Sequence, residues 1–336
     1  MCDWKEGKSR SELFDDLLDI FYHELDSWYN SSIFYCESCV DKFIEQWPGI
    51  YNRDMYFQRN ALSLSTFYEG SRVRDVFTKE EFTDIVKDLT CPNCDDQVSG
   101  FIFPYEMNFD IPENFEDTLK EIAAVAEDTP FLLYEQPFVK KVCKEIETIS
   151  KTIKTSDVVN PLFRATQFEE IAHYKNDRFL PKREYINEGR YNHAGQPVLY
   201  VGEDDLTCYF ETREPEEGIM LARVEIQTEM KILDLMDENL DNNDIIQAIK
   251  FSSLMSSPKE GEGPYKPHYI FTRLVADVAK SVGFDAIRYP SIRFNKGFNI
   301  AVLTYEKIKE HIKIVDFKYV PKDVLISKLE KQRFFY

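Results

Sequence analysis

The chain has 336 residues, 43% of them hydrophobic and 14% aromatic, enough apolar material to fill two cores, so two globular domains are expected. Its formal charge of −19 repels nucleic-acid backbones and argues against DNA or RNA binding through a broad electrostatic face, whereas a basic protein partner suits it. No long apolar run appears, and Asp3, Lys5, Glu6 and Lys8 precede the first hydrophobic stretch, so the reading excludes a membrane span and a signal peptide and places the protein in the cytoplasm.

Leu13, Leu17, Leu18, Phe21, Tyr22 and Leu25 recur at helical spacing and predict an amphipathic helix over about 9–30. Residues 31–105 mix aromatics with Pro48-Gly49, Gly70 and Cys91-Pro92-Asn93-Cys94, a pattern of short elements and turns. Two more helices are predicted at about 113–126 and 138–155, the second on Val142, Ile146, Ile149 and Ile153. Lys154-Thr155-Ser156-Asp157 reads as a junction, which divides a mainly helical domain, 1–155, from a second domain, 156–336. Beyond it β-formers cluster at 198–201, 219–226, 230–235, 284–288 and 300–304, with helical patterns at 204–213 and 270–282, the order of an α+β domain. Residues 255–267, rich in Ser, Pro and Gly, read as a flexible surface loop.

Four of the seven cysteines form two Cys-x-x-Cys pairs, Cys36 with Cys39 and Cys91 with Cys94. Each pair can offer two thiolates from a tight turn, and two pairs make a closed tetrahedral zinc site of structural type. The fifty-one residues between the pairs must form a folded excursion. Four unliganded cytosolic thiols are the alternative. Cys2, Cys143 and Cys208 read as packing or surface residues, and no activating histidine marks Cys208 as a nucleophile.

Arg190 sits in a Gly-Arg-Tyr-Asn-x-x-Gly loop and can fork to phosphate or ribose oxygens. The window 175–190 is locally basic in an acidic chain, with Lys175, Arg178, Lys182, Arg183 and Arg190 against Asp177, Glu184 and Glu188, and would attract an anion. Arg164, in Leu162-Phe163-Arg164-Ala165, is a second candidate anion contact. Tyr200, near the end of a strand, can stack on a base. Glu211 taken alone is a solvated helix glutamate; following Arg190 and Tyr200 in order, it reads as a site residue. Ser291, after Arg288-Tyr289-Pro290, either orients a ligand or closes a turn. No Gly-x-Ser-x-Gly elbow, Gly-x-Gly-x-x-Gly fingerprint or Gly-Lys-Ser/Thr loop is present, which argues against a serine hydrolase, a Rossmann dehydrogenase and a P-loop nucleotidase.

From about Asn160 to Tyr305 the chain resembles the RES domain, named for an arginine, a glutamate and a serine and known as the toxin half of many bacterial toxin–antitoxin pairs. Phe163-Arg164-Ala165, Gly189-Arg190-Tyr191-Asn192, Pro197-Val198-Leu199-Tyr200, Glu211, Leu233-Asp234-Leu235, the segment Gly283 to Ser291 and Gly297-Phe298-Asn299 carry the resemblance. His193 stands where a proline is common in the family. The resemblance implies an ADP-ribosyltransferase-like fold that consumes NAD by hydrolysis or phosphorolysis of the nicotinamide–ribose bond. By it, Arg190, Tyr200, Glu211 and Ser291 are the catalytic set, and Arg164, Arg190, Tyr191, Asn192, Tyr200, Ser291 and Asn299 hold the dinucleotide. Glu211 would stabilise the ribosyl cation. A protein ADP-ribosyltransferase and a non-catalytic nucleotide-sensing zinc adaptor are the alternative readings, and the partners implied are an antitoxin or regulatory protein and a second copy of the chain. The extra N-terminal residues resemble the HEPN-like modules fused to some RES domains. Yet His23 lacks the preceding arginine of the HEPN nuclease signature, so a regulatory role is expected there.

Overall fold

The computed structural model describes residues 5–29, 31–47, 61–106, 112, 114–167, 175–240, 242–255, 269–294 and 297–333. Cys2 and, from residue 256 on, the expected surface loop lie outside them. The chain forms two compact units, Met1–Phe109 and Asp110–Tyr336.

In the first unit the predicted amphipathic helix is α1 (Arg10–Tyr29), which buries Leu17, Phe21 and Leu25 on one face. Phe21 packs on Phe34 and Phe67, with ring centroids 5.8 and 4.5 Å away. The elements that follow are short: β1 (Phe34–Cys36), α2 (Val40–Gln46), β2 (Leu62–Ser63), α3 (Leu64–Gly70), α4 (Val73–Val76), α5 (Lys79–Ile85) and β3 (Phe101–Pro104). The three strands form an antiparallel sheet in the order β1-β3-β2. A Thr78–Glu81 capping box starts α5, satisfying two backbone N–H groups that would otherwise be unpaired.

The second unit opens with α6 (Phe115–Asp128) and α7 (Pro137–Thr152), a helix started by proline at its first position. The chain then runs through β4 (Leu162–Gln167), β5 (Leu199–Gly202), α8 (Asp205–Glu211), β6 (Gly218–Ile226) and β7 (Ile232–Asp234). It ends with α9 (Asp244–Met255), α10 (Ile270–Ser281), β8 (Ala286–Pro290), β9 (Phe298–Val302), α11 (Tyr305–Ile308), β10 (Ile312–Pro321) and α12 (Lys322–Arg333). Seven strands form one sheet in the order β10-β6-β4-β5-β9-β8-β7, antiparallel except for the β7–β8 pair. The α+β expectation holds, while β4, β10, α9, α11 and α12 go beyond the elements expected from sequence.

Alternation along the strands divides the sheet between two cores. Phe298, Ile300 and Val302 of β9 face one core with Leu199 and Val201, whereas Ala301 faces the other with Ile287 and Tyr289. Against this second face pack α6, α7, α9 and α10, with Phe115, Val139, Val142, Ile146, Ile249, Phe271 and Leu274 in one cluster. The two N-terminal helices of this unit are therefore part of the core that supports the sheet. One seam in the sheet is loose: β4 pairs with β6 from Leu162 to Gln167 but meets β5 only at Phe163 and Gly202.

Candidate active site and candidate metal centre

A cavity of about 270 Å³ is lined from both sides of that seam, by Phe163, Arg164 and Ala165 of β4 and by Tyr200, Val201 and Gly202 of β5. Cys208, Glu211 and Thr212 come from α8 and its C-terminal cap, and Arg190, Tyr269, Tyr289 and Asn299 complete the wall. The structure thus gathers Arg164, Arg190, Tyr200, Glu211 and Asn299, residues spread over more than a hundred positions of sequence, around one cavity.

The loop carrying Arg190 is held tightly. The Gly189 and Gly195 N–H groups donate to the carbonyls of Asn192 (3.0 Å) and Ile186 (2.9 Å). A Cβ at Gly189 would stand 2.3 Å from Asn192 Oδ1, so only glycine fits there. The Tyr200 hydroxyl accepts the Tyr191 N–H and donates to Asn192 Oδ1, both at 2.9 Å. Burial pushes its pKa up, so it remains a donor. Asn192 Nδ2 donates to the carbonyls of Asn187 and His193, each 2.9 Å away. Tyr191 is buried against Tyr289, its hydroxyl pushed up to about 12 by burial. Tyr191 and Asn192 are therefore absent from the cavity wall: their polar groups or rings are committed to shaping the loop.

Arg190 is 8% exposed, and its guanidinium lies 5.4 and 5.9 Å from the ring centroids of Tyr289 and Tyr269. Among the described residues no carboxylate forms an ion pair with it, and its Nε has no hydrogen-bond partner. Arg164 Nη1 is likewise buried and unpartnered, and burial pushes the Arg164 pKa down. Burial disfavours the Arg190 charge while the nearby Glu211 carboxylate supports it, so among the lining residues two arginines face one carboxylate, a balance that suits an anion.

Glu211, the last residue of α8, is aimed by two donors. Its Oε1 accepts from Ser291 Oγ at 2.7 Å and from Asn299 Nδ2 at 2.8 Å. Ser291 is fully buried and its Oγ also accepts the N–H groups of Arg293 (3.2 Å) and Phe294 (3.1 Å). The residues alone left Ser291 either orienting a ligand or closing a turn, and the family resemblance set it at the dinucleotide; it lies behind Glu211, outside the cavity wall, and its hydroxyl accepts two N–H groups of the turn after β8. Asp204 starts α8 by accepting the Thr207 N–H at 2.8 Å, which fixes where the helix delivers Glu211.

Sequence reasoning gave no role to Tyr269 or Tyr289 and read Cys208 as a packing or surface residue, whereas all three line the cavity. Tyr289 had a usable signal, since it shares strand parity with Ser291 in the Arg288-Tyr289-Pro290-Ser291 stretch; Tyr269 is one of nineteen tyrosines and carries none. The Cys208 thiol is pushed upward by burial, so it stays protonated.

In the first unit the four cysteine sulfurs lie within 4.8 Å of one another. The separations Cys36–Cys39, Cys36–Cys94 and Cys39–Cys91 are 3.7, 3.5 and 3.7 Å. A tetrahedron with metal–sulfur bonds of ~2.3 Å has edges of about 3.8 Å, close to these three separations, so the donor set suits zinc. Turns shape each pair: the Cys39 N–H donates to the Cys36 carbonyl at 3.1 Å, and the Asp95 N–H to the Cys91 carbonyl at 2.9 Å, with Asp95 left-handed at φ 60°.

The RES domain family model matches residues 161–319. Among solved structures, the chain is similar to one in the crystal structure of the M. tuberculosis MbcT–MbcA toxin–antitoxin complex, at 11% identity, covering 57% of this chain and 97% of that one with a TM-score of 0.34. No curated protein matches the sequence.

Proposed function

Taking as premise that the chain carries a RES domain over residues 161–319, we propose that it is an NAD-consuming toxin or defence effector whose cavity cleaves the nicotinamide–ribose bond. The observation that carries this reading is the placement of Glu211: a carboxylate fixed through Oε1 by Ser291 and Asn299, on a cavity that also holds two arginines without carboxylate partners among the described residues. Arg190 and Arg164 bind the anionic part of the dinucleotide, and Tyr200, Tyr269 and Tyr289 form the aromatic wall. As the bond breaks, its electron pair leaves with nicotinamide and positive charge develops on the ribose, where the Glu211 carboxylate stabilises it. Water or phosphate then attacks the anomeric carbon, losing a proton. Ser291 is a positioning residue for Glu211 in this scheme.

Zinc bound by Cys36, Cys39, Cys91 and Cys94 would be structural, since four thiolates leave no open coordination position. The first unit then serves a regulatory role, and an antitoxin or regulatory protein is the partner the family suggests. Incubating the purified chain with NAD and phosphate, followed by mass spectrometry, tests the proposal. Free nicotinamide with ADP-ribose or its phosphate is expected. An ADP-ribosylated protein would point to transfer instead, and intact NAD tightly bound would point to a sensor.

A further inference from the structure

Two arginines that do not line the cavity, Arg213 and Arg293, gather at its Glu211 end. Arg293 lies on the turn after β8, where its N–H donates at 3.2 Å to Ser291 Oγ, the hydroxyl that itself donates to Glu211. Phe294 presses the same turn onto α8, its ring stacked on Phe210 with centroids 5.1 Å apart and planes 5° from parallel. Arg213 comes from the helix side. It follows the Thr212 cap of α8 and leaves the helix in the left-handed conformation, at φ 66°, with its N–H on the Phe210 carbonyl at 3.0 Å. Both arginines are thus carried by the segments that fix Glu211.

These positions bring like charges together. Arg293 is half-buried, and burial pushes its pKa down; Glu211 opposes this, while Arg213 and Arg190 push the same way as burial. Among the described residues neither Arg213 nor Arg293 forms an ion pair or a side-chain hydrogen bond. Glu214, next to Arg213 in the chain, donates its N–H to the Tyr209 carbonyl and is in no ion pair among the described residues either. Arg190 and Arg293 both feel the Glu211 charge, and Arg213 is near enough to repel Arg293, so three guanidiniums gather about that carboxylate. Cations placed side by side raise the energy of the folded chain, and an anion between them lowers it. In a chain of formal charge −19, composition does not account for such a cluster.

We propose that Arg213 and Arg293 form a subsite for a phosphate dianion beside Glu211, apart from the arginines assigned to the diphosphate of the dinucleotide, because their planar forks match phosphate oxygens. Two sources share this chemistry, free phosphate and a 2′-phosphate on the adenosine ribose of a phosphorylated dinucleotide, each with about two negative charges near neutral pH. That the anion meets a dinucleotide there rests on the function proposed above; that it binds rests on the arginines alone.

Calorimetry on the full-length chain at constant ionic strength tests the subsite with three probes that lack the nicotinamide bond: inorganic phosphate, ADP-ribose and ADP-ribose 2′-phosphate. Either inorganic phosphate should bind saturably, which identifies a free anion, or the 2′-phosphate should bind about tenfold or more tighter than ADP-ribose, which identifies a phosphorylated dinucleotide. In both cases Arg213→Gln combined with Arg293→Gln should abolish the effect and leave ADP-ribose affinity nearly unchanged. Arg213→Gln alone, at an exposed position where folding is not at stake, should weaken it a few-fold. Absence of both effects in the wild type, or either effect intact in the double variant, would overturn the proposal. If ADP-ribose does not bind while phosphate still binds through the two arginines, the dinucleotide reading fails and the subsite stands.

Discussion

Ser291 shows how one buried hydroxyl can set the geometry of a site it does not line. It donates to Glu211 Oε1 and accepts two backbone N–H groups, so Ser291→Ala leaves Glu211 held by Asn299 alone and strips two amides of their acceptor. The unpaired amides should cost about 1–3 kcal/mol of stability. If Glu211 works as proposed, NAD turnover should fall about tenfold with NAD affinity little changed, as read by steady-state kinetics against direct binding. His193 offers a second test at this scale. Its hydrogen bond to Asp277 (2.8 Å) raises its pKa, with Arg273 opposing and Glu188 assisting. The folded state thus holds the proton more tightly than the unfolded chain, and this contribution to stability is complete below about pH 6.5 and lost as pH rises through the folded value. Asp277→Asn should lower the His193 pKa in an NMR titration; an unchanged value would remove the ion pair from the account.

At the scale of elements, the helices α6 and α7 bind their unit to its sheet through residues visible in the sequence. Val142, Ile146 and Ile149 mark the apolar stripe of α7, and all three are buried in the core with Phe271 and Leu274 of α10. Ile146→Ala should therefore destabilise the fragment 110–336 by about 2–5 kcal/mol in urea unfolding, far more than an independent N-terminal helix would permit. The stripe was legible because a helix with one wet face repeats at 3.6 residues. What it packs on was not legible, because the same stripe suits any apolar surface. The strand β10 escaped for a different reason: it lies at the sheet edge with Lys313, Asp316 and Lys318 exposed, and this charge, with a register irregularity between Ile314 and Asp316, breaks the β pattern. Around the cavity, Arg190 and Glu211 were legible through loop composition and order. Tyr269 was not, because only the folding of α10 against the sheet brings it to the wall.

For the whole molecule, the two units carry separable tests. Purified chain should contain one equivalent of zinc, and Cys91→Ser should lower both the metal content and the stability of the first unit; metal-free protein of equal stability would remove the metal from the account. The second unit carries the central claim, that a fixed carboxylate stabilises a ribosyl cation. Glu211→Gln keeps the shape and a hydrogen-bonding oxygen for Ser291 and Asn299 but removes the charge. The decisive measurement is the rate of NAD cleavage by this variant at saturating NAD, alongside the wild type. A fall on the order of 10²-fold, with NAD affinity and thermal stability nearly unchanged, is predicted; cleavage at the wild-type rate would contradict the account.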